Sequence, residues 1–228
     1  NIDTGMGLER LACVMQGVSN LFEVDTVAAV LHHVERIAGK KYGENDKDDI
    51  SIRVITDHIR AAVFMASDGV LPSNEGRGYV MRRLLRRAAR HGRMLGINRP
   101  FLTELVDTVI ESSEAGYPEL REHENYIKKV IGTEALRFGR TIDAGLDQVN
   151  TILDKLTAEG QTVFSGEDAF RLYDTFGFPI DLTRELCEER GIRVDEAAYK
   201  TLMEKQRSTA REATARNVGD VALALKPI

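Results

Sequence analysis

Apolar residues recur every three or four positions along most of this chain, which is the spacing of one face of an α-helix. Proline ends or kinks a helix, and only five prolines occur in 228 residues. The pattern therefore predicts a mainly α-helical protein. Long helices are predicted at 8–16, 25–38, 50–67, 77–95, 101–113 and 119–156, and shorter ones starting near 166, 180 and 194. One short strand is predicted at 161–164, and glycines at 132, 139 and 145 are expected to bend the long helix.

Composition and charge restrict the class of protein. With 43% hydrophobic and 29% charged residues, the chain has the content of a globular protein. No apolar run approaches the ~20 residues of a membrane span, and nothing resembles a signal peptide. Cys13 and Cys187 are too few for a disulfide framework, so we predict two buried thiols in a reducing cytoplasm. The five histidines lack metal-ligand spacing, and no metal site is predicted in this chain.

A run of arginines without a single acid lies between Gly76 and Gly92. Because a helix turns by about 100° per residue, most of these arginines fall within one arc of about 140°, opposite an apolar face. The stretch from Arg77 to Arg93 contains seven arginines, which leaves a charge of −12 on the rest of a chain whose net charge is −5. The arginines are Arg77, Arg82, Arg83, Arg86, Arg87, Arg90 and Arg93. The pattern predicts a helix with one buried face and one dense, exposed cationic face.

Two interpretations of this cationic face are open. The arginines can pair with some of the 36 acids of the same chain, as charged helix faces ordinarily do. However, self-paired helices usually alternate charge at three- and four-residue spacing, and here no acid is interleaved. We therefore favour an external anion, RNA in particular, because guanidinium groups suit contacts to phosphate. The acidic balance of the whole chain does not exclude such a local site.

The apolar segment that precedes the arginines carries a few polar residues. We assign packing or hydrogen-bonding roles to His58 and Arg60. Asp57 and His58 are adjacent, and consecutive helical residues diverge by about 100°, so we do not expect them to act as a dyad.

The first ten residues place two glycines ahead of a helix whose first turn carries Arg10. Glycines allow close approach of a ligand to the backbone, and an arginine at this place can clamp a phosphate. The spacing fits neither a Walker loop nor a Rossmann fingerprint, so from the residues alone a plain turn before a helix is equally acceptable.

This segment, 1–10, resembles the third signature of class II aminoacyl-tRNA synthetases, in the form of the alanyl-tRNA synthetase family. Three further stretches, 53–60, 72–83 and 172–179, are similar to the same family in the same order. The resemblance implies ATP-dependent activation of alanine and its transfer to tRNA. It assigns the alanine amino group to Asp3, with a catalytic role for Asp3 and Arg10, and the ATP site to Gly5, Gly7 and Arg10.

The resemblance also implies recognition of a G·U pair in the tRNA acceptor stem. A G·U pair leaves the guanine amine without its usual partner in the minor groove, where a carboxylate or an amide can reach it. We assign this role to Asn74 and Asp174. Contacts to the tRNA backbone are assigned to Arg77, Arg82, Arg83, Arg86, Arg87 and Arg90. From the residues alone, Asn74 is a turn residue and Asp174 a helix-end acid.

The resemblance predicts a domain order: the end of a catalytic domain at 1–20, a helical tRNA-recognition domain at 21–215, and a linker at 216–228. Two earlier class II signatures and an editing domain with zinc ligands are expected outside this sequence. ATP and Mg²⁺ are therefore cofactors expected of a longer enzyme, and the isolated chain is expected to be inactive. Two alternatives are a non-catalytic RNA-binding module and a helical scaffold for an acidic partner.

Overall fold

A computed structural model of the chain describes residues 5–73, 75–139 and 142–208. The chain divides into two compact units, residues 1–140 and 141–228. The prediction of a mainly α-helical fold is confirmed, because both units consist of helices apart from one pair of two-residue strands. Within the described ranges, no helix combines the length and apolar character that a membrane crossing requires.

The first unit contains seven α-helices within its described ranges, together with a short 3₁₀ turn at Leu21–Glu23. The helices are α1 (Leu8–Gln16), α2 (Asp25–Ala38), α3 (Asp46–Ser67), α4 (Gly76–Met94), α5 (Leu102–Ser113), α6 (Glu119–Glu122) and α7 (Glu124–Gly139). The predicted bounds of α1 and α2 agree with these. Helix α3 begins four residues earlier than predicted, because the side chain of Asn45 accepts hydrogen bonds from the backbone N–H groups of Lys47 and Asp48.

Helix α3 forms the centre of the first unit, where it contacts α2, α4, α5 and α7. Its isoleucines Ile52, Ile55 and Ile59 are fully buried and repeat at helical spacing. Helix α4 is fixed against α3 near its C-terminal end, where Nδ1 of His91 lies 3.0 Å from Oγ of Ser51. Together these contacts make α4 an integral part of the core.

The second unit contains α8 (Ile142–Ala158), α9 (Gly166–Phe176), α10 (Ile180–Glu188) and a further helix over 196–208. The strands β1 (Val163–Phe164) and β2 (Arg193–Val194) pair in parallel. A Cβ atom at Gly145 would lie 2.6 Å from the ring of Phe178, so a glycine is required where α8 packs on this ring.

The sequence pattern failed at two places in the fold. The predicted helix 119–156 is interrupted at His123, whereas the backbone remains helical through Gly132 and Gly145. Residues 140 and 141 lie outside the described ranges. Strand β2 was not predicted, because two residues are too short to establish an alternating pattern. The predicted domain boundaries at 20 and 215 remain predictions.

Candidate functional site

Helix α4 buries part of the face that was predicted to be exposed and cationic. Arg90 is only 2% exposed, and it lies between the buried residues Ala88 and His91. Arg82 and Arg86 keep 18% and 14% of their side-chain surface. The prediction of one continuous exposed arginine face is therefore wrong. Two of the seven arginines, Arg77 and Arg83, are exposed.

The buried arginines surround an acid from another helix. Glu134 of α7 is 4% exposed, and its Oε1 lies 3.2 Å from Nε of Arg82 and accepts a 2.8 Å hydrogen bond from Nε of Arg86. The guanidinium of Arg86 also lies over the ring of Phe138, 5.0 Å from its centroid. Internal pairing, the interpretation that we did not favour from the sequence, therefore applies to Arg82 and Arg86.

The same cluster fixes the loop that leads into α4. Arg82 donates a 3.2 Å hydrogen bond to the carbonyl oxygen of Pro72, and Oγ of Ser73 donates to the carbonyl oxygen of Glu75. A Cβ atom at Gly78 would lie 2.2 Å from the carbonyl oxygen of Leu71, so this loop rests directly on the helix backbone. Residues 71–73 are thus held by α4 and, through Arg82, by Glu134. Asn74 lies outside the described residues.

A groove lies beside this loop, along the outer face of α7. It has a volume of about 330 Å³ and is lined by the loop and by one stripe of the helix. The lining residues are Leu71, Pro72, Tyr126, Lys129, Val130, Thr133, Glu134 and Arg137. Sequence analysis missed this groove, although the spacing of Tyr126, Lys129, Thr133 and Arg137 places these residues on one helix face.

The residues assigned to nucleotide binding lie at the start of α1. Gly5 and Gly7 are exposed, and neither has a backbone or core atom against the position of a Cβ. The side chain of Arg10 is exposed on the first turn of the helix. These groups are accessible from solvent, and their assignment to an ATP site remains a prediction. Asp3 lies outside the described residues.

Helix α1 is connected to the core of the first unit by one ion pair. Nη2 of Arg60 in α3 donates to Oε1 of Glu9 over 3.1 Å, which confirms a hydrogen-bonding role for Arg60. Backbone hydrogen bonding and the Arg60 guanidinium lower the pKa of the Glu9 carboxyl. None of the α1 residues is buried, and Leu8, Val14 and Met15 are each more than 70% exposed.

Asp57 and His58, which we did not expect to act as a dyad, lie in contact with each other. Nδ1 of His58 lies 2.9 Å from Oδ2 of Asp57. This hydrogen bond lowers the pKa of the Asp57 carboxyl. The side chain of Asp57 is 63% exposed, whereas that of His58 is only 12% exposed.

Asp174, the second residue assigned to G·U recognition, lies near the C-terminal end of α9 in the second unit. It is exposed, and its Oδ1 accepts a 2.5 Å hydrogen bond from Nε2 of Gln206. Helix α9 ends at Gly177 in the left-handed conformation (φ 60°), and the adjacent Phe178 is fully buried. The carboxylate is therefore held at the surface of a fixed helix end.

The described part of the chain contains no group of three or more His, Cys, Asp or Glu side chains that could hold a metal ion. Of the two cysteines, Cys187 is buried, as predicted, but Cys13 is partly exposed. Burial raises the pKa of the Cys187 thiol to about 12.

Comparison with known proteins identifies the family. The chain is 60% identical over 213 residues to the alanine–tRNA ligase of Clostridioides difficile, and 56% identical over 215 residues to alanine–tRNA ligase 1 of Lachnoclostridium phytofermentans. These matches cover 93% and 94% of this chain but only 24% of each relative, so the chain spans about a quarter of their length. The model of the family "tRNA synthetases class II (A)" matches residues 1–226. The chain therefore belongs to the class II (A) tRNA synthetases.

Proposed function

We propose that this chain is part of an alanine–tRNA ligase and that it docks the acceptor stem of tRNA. The observation that carries the proposal is the 60% identity over 213 residues to a relative named alanine–tRNA ligase. The activity of such a ligase joins alanine to tRNA at the expense of ATP. The longer enzyme would act in the cytoplasm, with Mg²⁺ as a cofactor of ATP and with zinc confined to an editing domain outside this chain.

The start of α1 is the proposed contribution of this chain to catalysis. ATP supplies the phosphoanhydride whose cleavage activates the carboxyl group of alanine. Gly5, Gly7 and Arg10 would hold the nucleotide, and Asp3 would hold the alanine amino group. The open space at both glycines and the exposed guanidinium of Arg10 are consistent with this assignment.

The RNA-docking part of the proposal uses those arginines of the run from Arg77 to Arg93 that are exposed. Arg77 and Arg83 are accessible to phosphates, whereas Arg90 is too deeply buried for direct contact. Arg82 and Arg86 would act indirectly, because they fix the loop at 71–73 that precedes Asn74. Base-edge contacts specify a sequence while phosphate contacts position the RNA, so Asn74 and Asp174 are the proposed readers of the G·U pair.

The activity is tested by alanine-dependent ATP–pyrophosphate exchange in the longer protein that contains this chain. Exchange should depend on alanine and fall when Arg10 is replaced by alanine, with Arg121→Ala as a control at an exposed arginine of the first unit outside the stretches that resemble the family. Exchange that depends on another amino acid, or that is unchanged in Arg10→Ala, would contradict the proposal.

A further inference from the structure

The groove beside α7 brings together side chains that are suited to a polyanion. Tyr126, Lys129, Thr133 and Arg137 occupy one stripe of α7 at intervals of three or four residues, and all four are exposed. The loop residues Leu71 and Pro72 also line the groove. The groove therefore combines two cations, a hydroxyl and an aromatic ring from α7 with apolar surface from the loop.

The two cations in the α7 groove are not compensated by the protein. Among the residues that the structure describes, neither Lys129 nor Arg137 forms an ion pair. By contrast, Nζ of the adjacent Lys128 lies 2.6 Å from Asp107 and 2.7 Å from Glu124. The acid in the groove wall, Glu134, is 4% exposed and already bound to arginines of α4. The accessible charge of the groove is therefore positive.

The spacing of these cations indicates the kind of anion. Lys129 and Arg137 are eight residues apart, which corresponds to about 12 Å along a helix that rises 1.5 Å per residue. A single phosphate or carboxylate cannot bridge such a distance, whereas a strand with repeated phosphates can. Tyr126 is 43% exposed and Leu71 is 56% exposed, so a ribose or an unstacked base would find an aromatic and an apolar contact in the same groove as the charges.

We infer that the α7 groove binds the ribose-phosphate backbone of an RNA strand, with Lys129 and Arg137 as its phosphate contacts. The inference rests on the proposed function, because it assigns part of the tRNA-docking surface to a helix outside the arginine run.

The test uses the 228-residue chain and an RNA hairpin with the length of an acceptor stem, and measures Kd by fluorescence anisotropy at several salt concentrations. The variant replaces Lys129 and Arg137 with glutamine. The matched control replaces Lys41 and Lys47 with glutamine, which removes the same charge at exposed positions near the N-terminal end of α3. The loop at 71–73 follows the C-terminal end of that helix. That helix has 22 residues, so its ends are about 33 Å apart. Circular dichroism verifies that both variants are folded.

The groove variant should weaken RNA binding and lower the slope of log K against log salt by roughly 1.4 to 1.8, since each phosphate contact contributes about 0.7 to 0.9. The loss should be equal for hairpins with G·U and G·C pairs, and the control should retain more of the affinity and slope. If the wild-type chain binds RNA but both variants behave alike, the groove inference alone is overturned. If the wild-type chain binds no RNA, the proposed docking function fails as well. Loss of poly-glutamate binding with intact RNA binding would instead make the groove a protein interface.

Discussion

The carboxylate of Glu134 lies 3.2 Å from Nε of Arg82, although the two residues are 52 positions apart in the sequence. Because Arg82 in turn donates to the carbonyl oxygen of Pro72, one acid on α7 determines the position of the loop before α4. Glu134 also binds Arg86, so this single acid compensates two neighbouring charges of the arginine run. The loop, α4 and α7 are therefore expected to respond together when Glu134 is changed.

Replacing Glu134 with alanine should destabilise the protein by about 3 kcal/mol, because the change removes a buried carboxylate that Arg82 and Arg86 share. The free energy of unfolding is measured by urea denaturation. Glu114→Ala provides the control: Glu114 is 39% exposed and pairs with Arg121 at the surface, where such a pair contributes about 1 kcal/mol or less. Equal losses in the two variants would contradict the structural role of Glu134.

Gly78→Ala should displace the loop at 71–73 or destabilise the protein by about 1–3 kcal/mol, because the new methyl group would overlap the carbonyl oxygen of Leu71. Gly139→Ala is the matched control. No atom lies within 4 Å of the corresponding Cβ position, and alanine favours a helix. The control should therefore be neutral or slightly stabilising. A Gly78→Ala protein with wild-type stability and unchanged RNA binding would show that the loop does not need this contact.

Stability should decrease as the pH falls below about 6.5, in part because of His33. Burial lowers the pKa of His33, and its Nδ1 lies 2.7 Å from Oγ1 of Thr108. A lowered folded-state pKa means that the unfolded chain binds a proton first, so this contribution to stability is complete above the unfolded pKa of ~6.5 and diminishes below it. The slope of unfolding free energy between pH 7 and 5.5 should be smaller in His33→Gln than in the wild type. An unchanged slope in His33→Gln would contradict this role for His33.

The two cysteines should react with thiol reagents at very different rates in the folded protein. At pH 8, Cys187 should remain unmodified, because burial raises the pKa of its thiol to about 12 and blocks access. Partly exposed Cys13 should react first. Mass spectrometry after brief treatment with iodoacetamide identifies the modified residue, and denatured protein should be labelled at both. Early labelling of Cys187 would mean that α10 opens readily.

Helix positions could be predicted from the sequence because periodicity and local caps determine them, as the agreement at α1 and α2 illustrates. The environment of the arginines could not be predicted from the sequence, because their ion pairs depend on which distant helix packs against α4. Nothing near Arg82 in the sequence indicates that Glu134 is its partner. The charge spacing within one helix therefore predicted an exposed face, which the fold partly buries. The exposed cations Lys129 and Arg137 were overlooked for the related reason that two isolated charges do not form a conspicuous run.

The central claim, that this chain reads the acceptor stem of tRNA, is tested most directly by alanine transfer to tRNAs that differ only in a G·U or G·C pair. The measurement is the ratio of kcat/KM for the two tRNAs, in the longer protein that contains this chain. Asn74→Ala and Asp174→Ala should each lower the preference for G·U by about 5- to 150-fold, since one good base contact contributes ~1–3 kcal/mol. An unchanged preference in both variants would contradict the account.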